Sequence, residues 1–167
     1  MRYALRAVAA LLVLGLSSPF SLAASAVALG VHDGIYTVAV QINRSVTLEC
    51  LIDTGSSVVV IPESVLNTLV REGSVTREDV LGTGTAITAD RTMYQSAQIR
   101  LREVRLGDIV VRDVMASVSP ALIAPLLGQS FLSRFPLVTF DNQRHVMILS
   151  GSAPGTYSQP ASPYGTQ

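Results

Sequence analysis

The segment Glu49-Cys50-Leu51-Ile52-Asp53-Thr54-Gly55-Ser56-Ser57-Val58-Val59-Val60-Ile61 sets one carboxylate and a glycine turn between two strongly apolar runs. The run ending at Ile52 has the apolar content of a β-strand entering a core, and residues 58–61 that of a strand leaving it. Asp53-Thr54-Gly55 is therefore a loop pinned at both ends. Burial disfavours the charge of a carboxylate held there, so its oxygens need hydrogen-bond donors or it must keep its proton. The bland rival is a β-turn in which Asp53 only caps backbone N–H groups.

About seventy residues downstream, Leu126-Leu127-Gly128 places two apolar residues and a glycine ahead of a short apolar stretch. Together the two segments resemble the retropepsin-like aspartic proteases, in an order of parts most similar to the single-domain bacterial branch of that clan. The likeness spans roughly residues 36–149, and the paired segments are more specific than an isolated D-T-G. It implies an all-β, closed acid-protease barrel with one or two short helices, homodimeric. It also implies that Asp53 is the catalytic acid and that Thr54, Gly55 and Ser56 support its loop, Thr54 by hydrogen bonding across the dimer. Leu126, Leu127 and Gly128 are expected to pass beside that loop. Ala89, Asp90, Arg91 and Thr92 fall where the family carries the flap that closes over a bound peptide. Relatives usually have glycine at that tip, so Asp90-Arg91 is a departure. Ser56 differs from the alanine of retroviral members and matches the serine of two-lobed pepsin-like enzymes. Its hydroxyl is expected to donate to the outer oxygen of Asp53 and favour the charged form.

Chemistry gives an independent reason for these residue types. Peptide-bond hydrolysis by carboxylates uses two of them about 3 Å apart with one shared proton, one acting as base on water and the other donating to the carbonyl oxygen. This chain has a single D-T-G; Asp33, Asp90, Asp108 and Asp141 sit in turn-like polar contexts, and Asp113 adjoins Arg112. The second carboxylate is thus expected from another copy of the chain across a two-fold axis. Gly55, lacking a Cβ, permits two such loops to approach. The functional expectation is an aspartic endopeptidase acting on peptide or protein substrates. The alternative is a retropepsin-like module that binds a peptide or partner without cutting it. A serine hydrolase built on Ser56 is excluded by the absence of G-x-S-x-G and of an evident His-Asp pair.

A length of 167 residues with 49% hydrophobic content suits one folded domain, here residues 27–150. All twelve basic residues are Arg, against twelve acids, which gives no basic excess for nucleic acid. Residues 1–26 read as an export signal: Arg2 and Arg6, an apolar stretch over residues 7–16, a break at Ser17-Ser18-Pro19, and a small-x-small site at Ala24-Ser25-Ala26. Without Arg2 and Arg6 the chain carries ten Arg against twelve acids, a net charge of −2 (10 − 12). Export to the periplasm or cell envelope follows, with membrane contact only if the leader stays uncleaved as an anchor. Cys50 is the only cysteine, so no internal disulfide is possible, and its alternation with Val46, Leu48 and Ile52 marks a buried hydrophobe. No cofactor and no metal site are expected.

The remaining elements follow from pattern. Residues 35–42 alternate as a strand, and Asn43-Arg44-Ser45 turns the chain into the strand that delivers Asp53. Pro62 opens a helix with Val65, Leu66, Leu69 and Val70 on one stripe, stopped at Gly73. Gly82-Thr83-Gly84 lacks the Lys-Ser/Thr of a phosphate loop and is read as flexibility upstream of the flap hairpin, residues 85–101. Arg100, Arg102 and Arg105 are expected to form one solvated strand face. Strands follow the turn at Gly107-Asp108, a short helix spans residues 129–135 up to Pro136, and a hairpin over residues 137–149 closes the domain. Residues 151–167, rich in Ser, Pro, Gly, Thr and Gln, are expected to be a disordered tail.

Overall fold

The computed structural model describes residues 24–87 and 93–151. The expected tail beyond residue 151, most of the leader and the flap tip Ala89, Asp90, Arg91 and Thr92 lie outside the described residues. Among the described residues, eleven strands and two short α-helices occur in order: β1 (Ala24–Ala28), β2 (Gly30–His32), β3 (Ile35–Ile42), β4 (Val46–Ile52), β5 (Val59–Pro62), α1 (Glu63–Arg71), β6 (Val80–Ile87), β7 (Met93–Leu106), β8 (Ile109–Ser119), β9 (Leu126–Leu127), α2 (Gln129–Leu132), β10 (Leu137–Asp141) and β11 (Val146–Ser150).

Eight strands make one sheet in the order β2-β3-β4-β9-β5-β8-β7-β6, and a further β3–β7 pairing returns that sheet on itself as a barrel. The closure is short, Gln41↔Arg105 and Ile42↔Val104. Inward residues alternate as the sequence pattern requires, with Val38, Val40 and Ile42 of β3 meeting Leu101, Val104 and Leu106 of β7 in one core. The all-β barrel with two short helices is the fold class expected from the sequence. Cys50 is buried in this core; burial, helped by the charge of Glu49, pushes its thiol up to about 12, which makes it a packing residue rather than a nucleophile.

The β3–β4 hairpin turns through Asn43 and Arg44, both left-handed, with the Ser45 N–H donating to the Ile42 carbonyl at 2.9 Å. Asn43 tolerates that conformation better than most residues. Arg44 is held in it by a forked pair of hydrogen bonds to Glu103, at 3.1 and 2.9 Å. In α1, Leu69 is fully buried, but Val70 is 54% exposed and leaves the expected stripe. It lies about 100° around the helix from Leu69, and the packed face is only wide enough for Val65, Leu66 and Leu69.

A second sheet, in the order β1-β11-β10, is antiparallel throughout. Met147 and Leu149 of β11 point into the core, and Tyr36 of β3 stacks on Phe140 of β10 at 6.0 Å. The Tyr36 hydroxyl donates to Asn142 at 2.9 Å, so one aromatic contact ties the two sheets together. The expected leader boundary after Ala26 falls inside β1.

Candidate active site

The Asp53 loop is built from two chain segments that meet only in the folded state. β9 lies between β4 and β5: Leu51 and Ile52 pair in parallel with Leu126 and Leu127, and Val60 pairs with Leu126 in antiparallel. Leu127 is buried in the core while Leu126 is half-buried beside the loop. The Asp53 N–H donates to the Leu127 carbonyl at 3.2 Å, which ends β4 with the aspartate held against β9. The structure thus places Leu126-Leu127-Gly128 beside the Asp53 loop.

Within the loop, the Gly55 N–H donates to Asp53 Oδ1 at 2.9 Å, and the Ser56 N–H to the Asp53 carbonyl at 3.3 Å. A Cβ on Gly55 would lie 3.2 Å from Asp53 Oδ1, so the glycine admits this tight return. The Ser56 hydroxyl does not donate to the Asp53 carboxylate, the bond expected from the sequence. Its hydroxyl donates to the Val58 carbonyl at 2.8 Å, because the turn brings that acceptor within reach and leaves Ser56 serving the backbone. Asp53 is half-buried, and Thr54 and Gly55 are exposed on the protomer surface.

Two residues that the sequence reading did not single out hold the loop from outside. Gln129 donates through its backbone N–H to the Ser56 carbonyl and through Nε2 to the Thr54 carbonyl, both at 2.9 Å. Ser130 is fully buried; its Oγ accepts the Val59 N–H at 2.9 Å and donates to the Met115 carbonyl at 2.7 Å. The loop's carbonyls and the start of β5 are thus gripped by the segment that follows Gly128. The signal available in the sequence was a polar pair, Gln129-Ser130, at the start of an apolar helix.

β6 and β7 pair antiparallel up to Ile87↔Met93, so the strands flanking the expected flap residues do form a hairpin. The β6 register shifts between Val80 and Gly82, and Gly82 takes a φ of +132° that a side-chain-bearing residue rarely adopts.

A second acid stands apart from this site. Asp79 is fully buried at the end of a single 3-10 turn, where its carboxylate accepts hydrogen bonds from Arg102 at 2.9 and 2.6 Å, from Arg100 at 3.3 Å and from the Thr76 N–H at 2.9 Å. The Arg row on β7 is therefore not simply solvated: Arg100 and Arg102 neutralise Asp79, and Arg105 pairs with Glu103 at 3.2 Å. Burial pushes the Asp79 carboxyl up, but the donors from Arg102, Thr76 and Arg100 together outweigh it and hold it well below the usual carboxylate range. Fully donated and ionised, Asp79 is a structural acid.

A depressed folded-state pKa contributes stability that is complete above the unfolded value, near 4, and is lost as pH falls through the folded one. Arg102→Ala is thus expected to destabilise the fold near neutral pH, because it strips donors from a buried charged group. The gap to the parent protein should narrow progressively below about pH 4. Urea unfolding of both proteins from pH 7 to pH 2 checks this; a gap that stays constant across the range would show that the ion pair is not its source.

Among the described residues, no group of three or more His, Cys, Asp and Glu side chains is gathered so as to hold a metal ion. No helix among them is long and apolar enough to cross a membrane.

A D-T-G loop ending one barrel strand and braced by an apolar-apolar-glycine segment defines a retropepsin-like aspartic protease fold. Residues 38–134, more than half of the chain, match the model of the family described as "gag-polyprotein putative aspartyl protease", and the chain belongs to that family. Among solved structures, it is similar to a retropepsin-like aspartic protease from Rickettsia conorii, with 24% identity and a TM-score of 0.58 over 78% of this chain and 92% of that one. It is also similar to the EIAV protease complexed with the inhibitor HBY-793, with 19% identity and a TM-score of 0.47 over 60% and 88% of the two chains. The retroviral protease-like domain of Ddi1 from Leishmania major shares 14% identity at a TM-score of 0.48 over 72% and 94%. Comparison with curated protein sequences finds no match.

Proposed function

We propose that the protein is an aspartic endopeptidase in which two copies of the chain each supply Asp53, exported to the periplasm or cell envelope. The observation that carries the reading is the Asp53 loop itself. Its backbone is braced by Leu127, Gln129 and Ser130, while Thr54 and Gly55 are exposed on the protomer surface, where a second copy can meet them. One carboxylate per chain is insufficient for the reaction, since one group must take a proton from water while another gives one to the substrate carbonyl oxygen. A two-fold pairing at the loops supplies both. Water adds to the peptide carbonyl, the tetrahedral intermediate collapses with proton transfer to the leaving amine, and the pair returns to its starting state with one proton.

This mechanism works only while one carboxyl of the pair is protonated and the other ionised. Activity is therefore expected to trace a bell against pH with its optimum on the acid side of neutrality, and to rise faster than linearly with protein concentration where the dimer dissociates. The test is cleavage of a peptide library by the folded domain from acid to neutral pH, with and without a statine-type transition-state mimic. Cleavage with a flat pH profile, indifferent to the mimic, would mean different catalytic machinery. A dimer that binds peptides and cuts none at any pH would leave a binding module.

A further inference from the structure

Three guanidiniums gather on one carboxylate at the far end of β4 from Asp53. The turn that carries Asn43 and Arg44 is separated from Asp53 by the seven residues of β4, about 23 Å of strand. Glu103 of β7 accepts the forked pair from Arg44 and a third hydrogen bond from Arg105, while the Arg112 guanidinium stops 3.9 Å from Glu103 Oε2, too far for a hydrogen bond. One negative charge thus meets three positive ones, an excess of +2 (3 − 1). The Glu103 side chain is only 9% exposed, whereas those of Arg44 and Arg112 are 68% and 70% exposed, so the guanidiniums rather than the carboxylate meet solvent. Between them lies an open cleft of about 230 Å³, lined by Asn43, Arg44, Ser74, Arg102, Glu103 and Arg112. Arg102 is occupied by Asp79 and Thr76. Glu72, which accepts from the Ser45 hydroxyl, and Glu78, whose charge acts on Arg102, lie outside the lining.

The walls of this cleft are fixed by the fold. Asn43 Nδ2 donates to the Ser74 carbonyl at 2.8 Å and Asn43 Oδ1 accepts the Glu103 N–H at 3.0 Å, which ties the turn, the segment after α1 and β7 together. Arg44 has a φ of +60° at the second position of a two-residue hairpin turn, where glycine is the favoured residue. An arginine kept there at a cost in backbone energy fits the clustering of such strained residues at functional sites. Arg44 spends Nε and Nη2 on Glu103 and keeps Nη1, and Arg112 keeps its whole fork. The volume falls below the roughly 300–1,000 Å³ of sites for drug-sized ligands, which suits a compact ion. Arginine forks match the oxygens of a phosphate, and the charge of about −1.5 to −2 on a phosphate monoester near neutral pH matches the excess in the cleft, whereas a single carboxylate leaves half of it unmatched. We propose that this cleft binds a phosphate group, inorganic phosphate or the exposed head of a phosphate monoester, held by Arg44 and Arg112. No residue of the Asp53 loop takes part, so the protease and the phosphate site can fail separately.

The test is calorimetric titration of the purified protein with inorganic phosphate at neutral pH and constant ionic strength, with chloride as the reference anion. Saturable binding of phosphate and none of chloride is expected. Arg112→Gln should weaken phosphate binding by about 10-fold or more, the loss of a charge-assisted hydrogen bond. Because the Arg112 guanidinium makes only the 3.9 Å contact with Glu103 among the described residues, this variant should keep the parent's urea midpoint, which separates lost binding from lost fold. Arg144→Gln removes the same charge from the turn between β10 and β11, outside the cleft, and should bind phosphate as the parent does. Absence of saturable phosphate binding, an equal response to chloride, or equal weakening by both variants would overturn the site. Sedimentation with vesicles of phosphatidic acid in phosphatidylcholine, against phosphatidylcholine alone, distinguishes the two sources. Arg112-dependent sedimentation competed by phosphate assigns a lipid headgroup, and phosphate binding without sedimentation assigns the free ion. Binding of a poly-glutamate peptide by a protein that ignores phosphate would overturn the proposal in favour of an acidic protein partner.

Discussion

Asp53→Asn is expected to fold, to dimerise and to hydrolyse nothing measurable, with kcat/KM down by roughly 10³-fold or more. The amide oxygen can still accept the Gly55 N–H that now goes to Asp53 Oδ1, so the loop keeps its return. What disappears is the group that takes a proton from water, and in a symmetric dimer it disappears twice. A mixing experiment sharpens the expectation. If parent and Asp53→Asn chains pair at random in equal amounts, only about a quarter of dimers carry two aspartates, whereas self-sufficient chains would retain about half of the activity. Activity falling with the square of the parent fraction supports a shared site. A linear fall would place the whole mechanism within one chain, and near-parental activity in folded Asp53→Asn would remove Asp53 from it.

The parts of this site legible in the sequence are those written in local pattern. The Asp53 loop is bounded by apolar runs, and the β3–β4 turn is marked by Asn43, a residue that accepts the left-handed backbone. What escaped local reading depends on residues far apart in the chain. Gln129 grips Thr54 across 75 positions, and no periodicity encodes a side-chain amide meeting a distant carbonyl. Asp79 escapes a local reading because Thr76-Arg77-Glu78-Asp79 has the composition of a polar surface loop. Only the fold brings Arg100 and Arg102 over it and makes burial tolerable. For the Ser56 hydroxyl, likeness to the pepsin-like serine points to Asp53, but the acceptor within reach is its own turn's Val58 carbonyl. β1 was hidden for a compositional reason: small apolar residues suit both a leader's cleavage region and an edge strand.

Gly128→Ala carries the largest expected loss of stability, and the reason is space rather than backbone angle. Gly128 has φ −103° and ψ −167°, an extended conformation open to any residue. An added Cβ would nevertheless lie 2.2 Å from the Val58 carbonyl oxygen, 2.7 Å from its carbon and 2.8 Å from the Ser56 carbonyl oxygen. All three are backbone atoms, so no rotamer change relieves the clash, and the chain must separate β9 and α2 from the loop they brace. The cost is expected at about 3 kcal/mol or more, at the upper end for an overpacked site. The hydrogen bonds from Gln129 to Thr54 and Ser56 would lengthen with it. Displacement of the Asp53 loop by even about 1 Å is expected to cost a further 10²-fold in kcat. Gly34→Ala is the contrasting control: its added methyl meets nothing within 4 Å, and only its φ of +78° is unfavourable, so about 1 kcal/mol with activity retained is expected. Urea midpoints for the two variants, with kcat measured on whatever remains folded, separate the effects. If Gly128→Ala matched Gly34→Ala in both stability and kcat, the close packing of Gly128 against residues 56–58 would not be what positions the aspartate.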